Sequence, residues 1–238
     1  MQILGLALFV FVVAYGFGGA RTGTTVSAFD LHALVVVLGG SLSAILVMSN
    51  AQTAFRTFSC LRELIPGLGT LRKANEALEA ERKQLAQLWL DGNRAQAVNV
   101  AEGSEFTAMQ RMLQLVLSRA PIEGVRSAFT ELEHAELSRW QPAVGNWELL
   151  AKLAPSFGMV GTITGMIQLF KSMGEEGSDL GSSLSLALLA TLYGVAFGAG
   201  VAGPIGHFLR GLLDERLGVL ERCEQTVAEL TAWSRREQ

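Results

Sequence analysis

Charge is scarce in this sequence, and none of its long apolar runs has a central carboxylate. Only 17% of the 238 residues are Asp, Glu, Lys or Arg, against 50% apolar, and the mean hydropathy is positive. That balance excludes an ordinary soluble domain and implies a membrane protein with a sizeable soluble part. The net charge of −3 gives no basic footprint for a nucleic-acid partner. Cysteine is rare too. Cys60 and Cys223 are far apart and have no histidine at ligand spacing, which argues against a disulfide framework and a metal site. His32, His134 and His207 are scattered and read as structural. The chain lacks a Walker loop, a GxSxG elbow and an HExxH helix, so no nucleophile–base set or cofactor loop can be assembled, and the expectation is a non-enzyme without cofactor or metal.

What is present is four long apolar runs around a polar insert. Met1–Ala20 is almost wholly apolar, lacks the basic start of a signal peptide, and is long enough to cross a hydrocarbon core of about 30 Å. Leu31–Ser49 reads as a second span, with Gly39, Gly40, Ser41 and Ser43 as a small-residue packing face. Residues 50–146 form a soluble insert with both signs of charge in near balance. Pro66, Gly67 and Gly69 break it early. Leu71–Leu90 has the amphipathic spacing of a helix, with Leu78, Leu85 and Leu88 on its apolar side. Asp91-Gly92 ends it, and shorter helices follow over Arg94–Glu102, Phe106–Leu117 and Ile122–Trp140. Trp147–Lys171 and Leu180–Phe208 read as the third and fourth spans, with Pro155 early in the third and Pro204 late in the fourth. Residues 209–238 form a charged helical tail, apolar at Leu213, Leu217, Leu220 and Val227, that packs either on the insert or on neighbouring copies. The expected fold class is an all-α membrane protein, divided into an N-terminal two-span hairpin (1–49), a cytoplasmic helical domain (50–146), a pore-lining hairpin (147–208) and a tail helix (209–238). Arg56, Arg62, Arg210 and Arg216 lie beside the insert and tail, which places both, and both termini, on the cytoplasmic side.

The last two spans carry stripes of small residues. Gly158, Gly161 and Gly165 share one helical face, with Thr162 beside them. Ala187, Thr191, Gly194 and Gly198 follow steps of four, three and four in the next run. In water such glycines cost about 1 kcal/mol each in a helix. In a bilayer the helix persists for lack of other backbone partners, and the glycines permit close approach of another helix. This hairpin reads as the wall of an ion path that a partner helix completes. Intramembrane proton carriers are usually Asp, Glu or His. Here Thr162, Thr164 and Thr191 are the polar groups at depth, and a hydroxyl can ligate a small cation or hydrogen-bond but cannot hold a proton near neutral pH. The titrating group of any channel must therefore come from another chain. The alternative is that the threonines only bond back to their own helices.

The segments APSFGMVGTITGM and ALLATLYG, with VVVLGGSLSAILV before them, resemble the flagellar stator A subunits of MotA/PomA type, within the family that includes TolQ and ExbB. The order of spans, insert and tail is similar as well. The resemblance implies a homopentameric ring in the bacterial inner membrane around two copies of a single-span B subunit, whose intramembrane Asp carries H+ or Na+. It implies that Thr162 and Thr191 face that carboxylate, with Gly158, Gly161, Gly165, Ala187 and Gly194 along the same path, and that Pro155 gates the motion. It further implies rotor contact through Arg94 and Glu102, eight residues apart as in the family. Lys152 stands where the family has an acid, at the cytoplasmic exit. A TolQ/ExbB-like or gliding-type energiser driving another envelope machine is the alternative.

Overall fold

The computed structural model describes residues 31–65, 69–173 and 180–236. The first expected span, Met1–Ala20, and the polar turn after it lie outside the described residues. Among the described residues every regular element is a helix. α1 spans Leu31–Met48 and contains a π-helical turn at Val35–Gly39. α2 is Ala51–Ser59, prolonged by a 3-10 turn at Cys60–Leu64. α3 is Thr70–Leu90, α4 Arg94–Glu102 and α5 Thr107–Leu117. α6 runs over Ile122–Ser172 and contains both Pro142 and Pro155. α7 is Leu180–Phe197 and α8 is Gly203–Arg236, joined by a π-helical turn at Gly198–Ala202.

Among the described residues three helical stretches are long and apolar enough to cross a membrane: Leu31–Met48, Ile122–Lys171 and Leu184–Ser234. The separate helices expected over Ile122–Trp140 and Trp147–Lys171 are one helix. Pro142 removes one backbone donor and is exposed, and the helix continues through it.

The chain divides into two compact units, residues 1–65 with 142–209 and residues 66–141 with 210–238. In the first, α1 packs on α6 and α7 through small residues. Ala33, Val37, Ala154, Leu189 and Ala190 form its buried cluster. A side chain at Gly40 would strike the Phe157 ring. Ser41 is buried and donates its hydroxyl proton to the Val37 carbonyl at 2.7 Å, inside the π turn. The outer faces keep large apolar side chains in the open, among them Ile163, Phe170 and Leu188, as a lipid-facing helix requires. At one end α2 is tied to α6. Asn146 Nδ2 donates to Thr57 Oγ1 at 2.8 Å and to Ser49 Oγ at 2.9 Å, and Trp147 Nε1 donates to the Thr57 carbonyl at 2.8 Å.

The second unit has an ordinary apolar core. Leu78, Leu85, Met109, Met112, Phe129, Leu220 and Val227 are buried together, so the tail helix packs on the insert. Polar ties surround that core. Arg82 donates to Thr226 Oγ1 at 2.7 Å, and Arg216 pairs with Glu136 at 3.0 Å. Glu79 accepts hydrogen bonds from Arg82 and Arg222, which hold its carboxyl down at about 2.

Candidate functional site: the seam between α6 and α7

The small-residue stripes of α6 and α7 face each other within one chain. A methyl added at Gly194 would sit 2.6 Å from the Ala154 carbonyl oxygen and 3.0 Å from Gly158 Cα. One added at Gly158 would sit 3.0 Å from the Ala190 carbonyl oxygen, and one at Gly165 would sit 2.8 Å from Ala187 Cβ. At Gly161 it would collide with the Ala190 methyl. These contacts are mostly with backbone, which cannot move aside. The stripe that reads in sequence as a surface for another helix is thus filled by the other half of the same hairpin. Gly158, Gly161, Gly165, Ala187 and Gly194 are all buried there.

The two threonines meet on this seam. Their side-chain oxygens are hydrogen-bonded to each other. Thr162 Oγ1 also lies 3.0 Å from the Gly158 carbonyl and 3.2 Å from the Ala187 carbonyl. Carbonyls only accept, so Thr162 can give its single proton to one of them. With that proton on a carbonyl, Thr191 donates to Thr162 and keeps the lone pairs of its Oγ1; either hydroxyl can be the donor of the pair. Both residues are half-buried, at the edge of the seam. Thr162 therefore does more than bond back to its own helix. Thr164 does only that, through the Gly161 carbonyl at 2.9 Å.

Pro155 lies toward the other end of the seam. It has no N–H to bond the Ala151 carbonyl four residues earlier. That carbonyl instead abuts Gly198, the first residue of the π turn. A methyl at Gly198 would be 2.7 Å from Ala151 O and 2.7 Å from Pro155 Cδ. Two irregular backbones thus oppose each other at one depth, a place where helices bend easily. Sequence reasoning placed Gly198 on the small-residue stripe but missed the π turn. The density of glycine at 198, 200 and 203 is the signal that could have shown it. Lys152 is exposed, one turn before Ser156, whose hydroxyl donates to the Lys152 carbonyl at 3.1 Å.

Arg94 and Glu102 are the first and last residues of α4, both exposed, while Ala97 and Ala101 face the core. The Arg94 guanidinium lies 5.6 Å from the centre of the Trp89 ring. They belong to the second compact unit, and the threonine pair belongs to the first.

No carboxylate occurs from Leu149 to Phe170 or from Leu180 to Leu213. A glycine seam with a hydroxyl pair at its edge and no acid of its own defines a membrane subunit that can line an ion path but cannot carry the proton itself. Residues 101–222 match the MotA/TolQ/ExbB proton channel family, and the chain belongs to that family. It is 26% identical over 211 residues to a Motility protein A of Aquifex aeolicus, covering 79% of this chain and 80% of the relative. It is 30% identical over 191 residues to a Motility protein A of Borreliella burgdorferi, covering 75% and 70%. The Chemotaxis protein PomA of Vibrio alginolyticus is 26% identical over 203 residues, covering 84% and 76%. The fold is similar to that of a chain in the C. jejuni MotAB structure, with a TM-score of 0.78 at 14% identity, covering 97% of this chain and 88% of that one. A chain of the Bacillus subtilis flagellar MotAB stator complex gives 0.73 at 21% identity, covering 96% and 88%.

Proposed function

We propose that this chain is the ion-path subunit of a flagellar motor stator. The threonine pair carries the reading: two hydrogen-bonded hydroxyls border the α6–α7 seam between stretches, Leu149–Phe170 and Leu180–Leu213, that hold no carboxylate. Five copies surround two copies of a single-span B-type partner in the bacterial inner membrane, with insert and tail in the cytoplasm. The partner supplies an intramembrane Asp. When protonated, that acid donates to the free lone pair of Thr191. When ionised it cannot, so the threonine pair distinguishes the loaded from the unloaded state. A sodium ion at the carboxylate would use the same oxygen as a ligand. Pro155 and the π turn opposite it let the hairpin bend as each ion passes. Lys152 sits at the cytoplasmic exit, and Arg94 and Glu102 engage the rotor. The chain performs no covalent chemistry and has no resident cofactor; H+ or Na+ is its cargo.

Complementation of a non-motile deletion strain tests this reading. The parent chain restores swimming. Pro155→Ala and Thr191→Val do not, although each still co-purifies with its partner at parental yield. Normal swimming with both variants contradicts the reading.

A further inference from the structure

Among the described residues Arg216 is the one charged side chain in the buried class. It stands in the core stripe of α8, three residues after Leu213 and four before Leu220, both of which are buried. Folding alone does not call for a cation there. A buried ion pair is often no more stable than the apolar pair that would replace it.

Glu136 of α6 neutralises the guanidinium without using all of it. Nε and Nη2 both donate to one carboxylate oxygen, Oε1, at 3.2 and 3.0 Å. Those two nitrogens form the side edge of the guanidinium. Nη1 shares the end edge with Nη2, and it is buried with no hydrogen-bond partner among the described residues. A buried donor in that condition is costly, and it marks a place where something outside the fold belongs. The Glu136 side chain is 20% exposed, so water reaches its second oxygen.

Arg216 also lines a cavity of about 460 Å³, within the size range of small-molecule sites. The lining comes from α3, the start of α5, α6 and α8, and all of it lies in the second compact unit. Much of the wall is apolar, with Leu132, Trp140 and Leu220 in it. Thr107 and Ala135 of the lining are exposed, whereas Leu220 and Arg216 are buried, so the guanidinium lies at the deep end. Glu105 and Arg139 line the cavity too, both exposed and opposite in sign, so water screens them. The centre of the Phe106 ring is 5.7 Å from the guanidinium carbon, and this half-buried side chain belongs to the same wall.

We propose that this cavity binds a small organic anion. A carboxylate or phosphate takes the Nη1–Nη2 edge of Arg216, and an apolar or aromatic body lies along Leu132, Trp140 and Leu220. The planar edge of a guanidinium matches either oxyanion with two parallel hydrogen bonds. Phe106 is the part of the cover over Nη1 that turns aside, by rotation about its Cα–Cβ bond. The site is independent of the threonine seam and of the ion path.

Isothermal titration of the purified full-length chain, with any partner that co-purifies, tests the proposal. The probes are benzoate, phenyl phosphate, inorganic phosphate and benzylammonium. Benzoate or phenyl phosphate binds saturably with a Kd below about 1 mM, and the tighter of the two tells carboxylate from phosphate. Inorganic phosphate, lacking the apolar body, binds at least about tenfold more weakly, and benzylammonium does not bind. Ala135→Trp fills the cavity from an exposed position and leaves the Arg216–Glu136 pair in place. Arg216→Lys keeps the charge but loses the planar edge. Each weakens binding of the aromatic anions at least about tenfold. Ala135→Trp melts as the parent does, so it decides the matter if Arg216→Lys unfolds. Failure of both aromatic anions to saturate overturns the proposal. Parental affinity in Ala135→Trp, or benzylammonium binding as tightly as benzoate, overturns it as well.

Discussion

Thr162 and Thr191 hydrogen-bond across the seam between α6 and α7, and only Thr162 has a carbonyl to receive its own proton. The pair is therefore asymmetric. Thr162 has carbonyl acceptors within reach, and Thr191, half-buried at the edge of the seam, has only Thr162.

That asymmetry predicts a separation of stability from flux. Thr191→Val removes one interhelical hydrogen bond, worth about 0.6 kcal/mol in a membrane. Thr162 keeps its carbonyl acceptors, so the complex assembles and its melting temperature changes little. Ion flux through the assembled complex falls at least about tenfold, as expected for loss of one ligand worth about 1.4 kcal/mol to the moving ion. Vesicle flux and thermal melting of the same preparation check both halves.

Close approach of the two helices predicts opposite outcomes for two Gly→Ala changes. Gly194→Ala places a methyl 2.6 Å from a carbonyl oxygen and 3.0 Å from a backbone carbon, so the helices must part. The expected cost is about 1–3 kcal/mol. Gly211→Ala, with nothing within 4 Å of the added methyl, gains up to about 1 kcal/mol of helix stability. Thermal melting in detergent distinguishes the two.

Burial of Arg216 predicts a strong double-mutant effect. Arg216 is 8% exposed and its counter-charge is Glu136, with Nε at 3.2 Å and Nη2 at 3.0 Å. Glu136→Gln leaves a buried cation unpaired and costs about 3 kcal/mol. Glu136→Leu with Arg216→Met removes both charges and recovers most of that loss. Denaturation midpoints of the two variants measure the difference.

Glu79 makes stability pH-dependent in a defined window. The Arg82 hydrogen bond, assisted by Arg222, lowers its pKa from 4.5 to about 2. A lowered folded-state value means that its contribution is complete above pH 4.5 and is lost as pH falls toward 2. Glu79→Gln therefore destabilises the protein at pH 7 by about 1 kcal/mol, a figure limited by solvent screening of the exposed partner Arg222. Its deficit against the parent shrinks between pH 4.5 and 2. Parallel melts at several pH values follow that convergence.

Much of the insert is legible in the sequence because its signals are local. The spacing of Leu78 and Leu85, the Asp91-Gly92 stop and the bounds of α4 all follow from periodicity and turn chemistry. The tail spacing is equally visible, but which surface it meets is a tertiary fact. Leu220 and Val227 enter the core with Leu78, Leu85 and Phe129. Pro142 misleads, because local rules penalise a helical proline, whereas packing on either side of it carries α6 through. The glycine stripes on α6 and α7 are visible by spacing, yet spacing alone does not say that they face each other. The Thr162–Thr191 contact and the π turn at Gly198–Ala202 depend on that pairing and appear only in the fold.

Proton and sodium flux in sealed vesicles tests the central claim most directly, comparing this chain alone, with its B-type partner, and with a partner whose intramembrane Asp is changed to Asn. The account predicts ion flux only with the unaltered partner. Flux through this chain alone, or undiminished flux with the Asp→Asn partner, would contradict it.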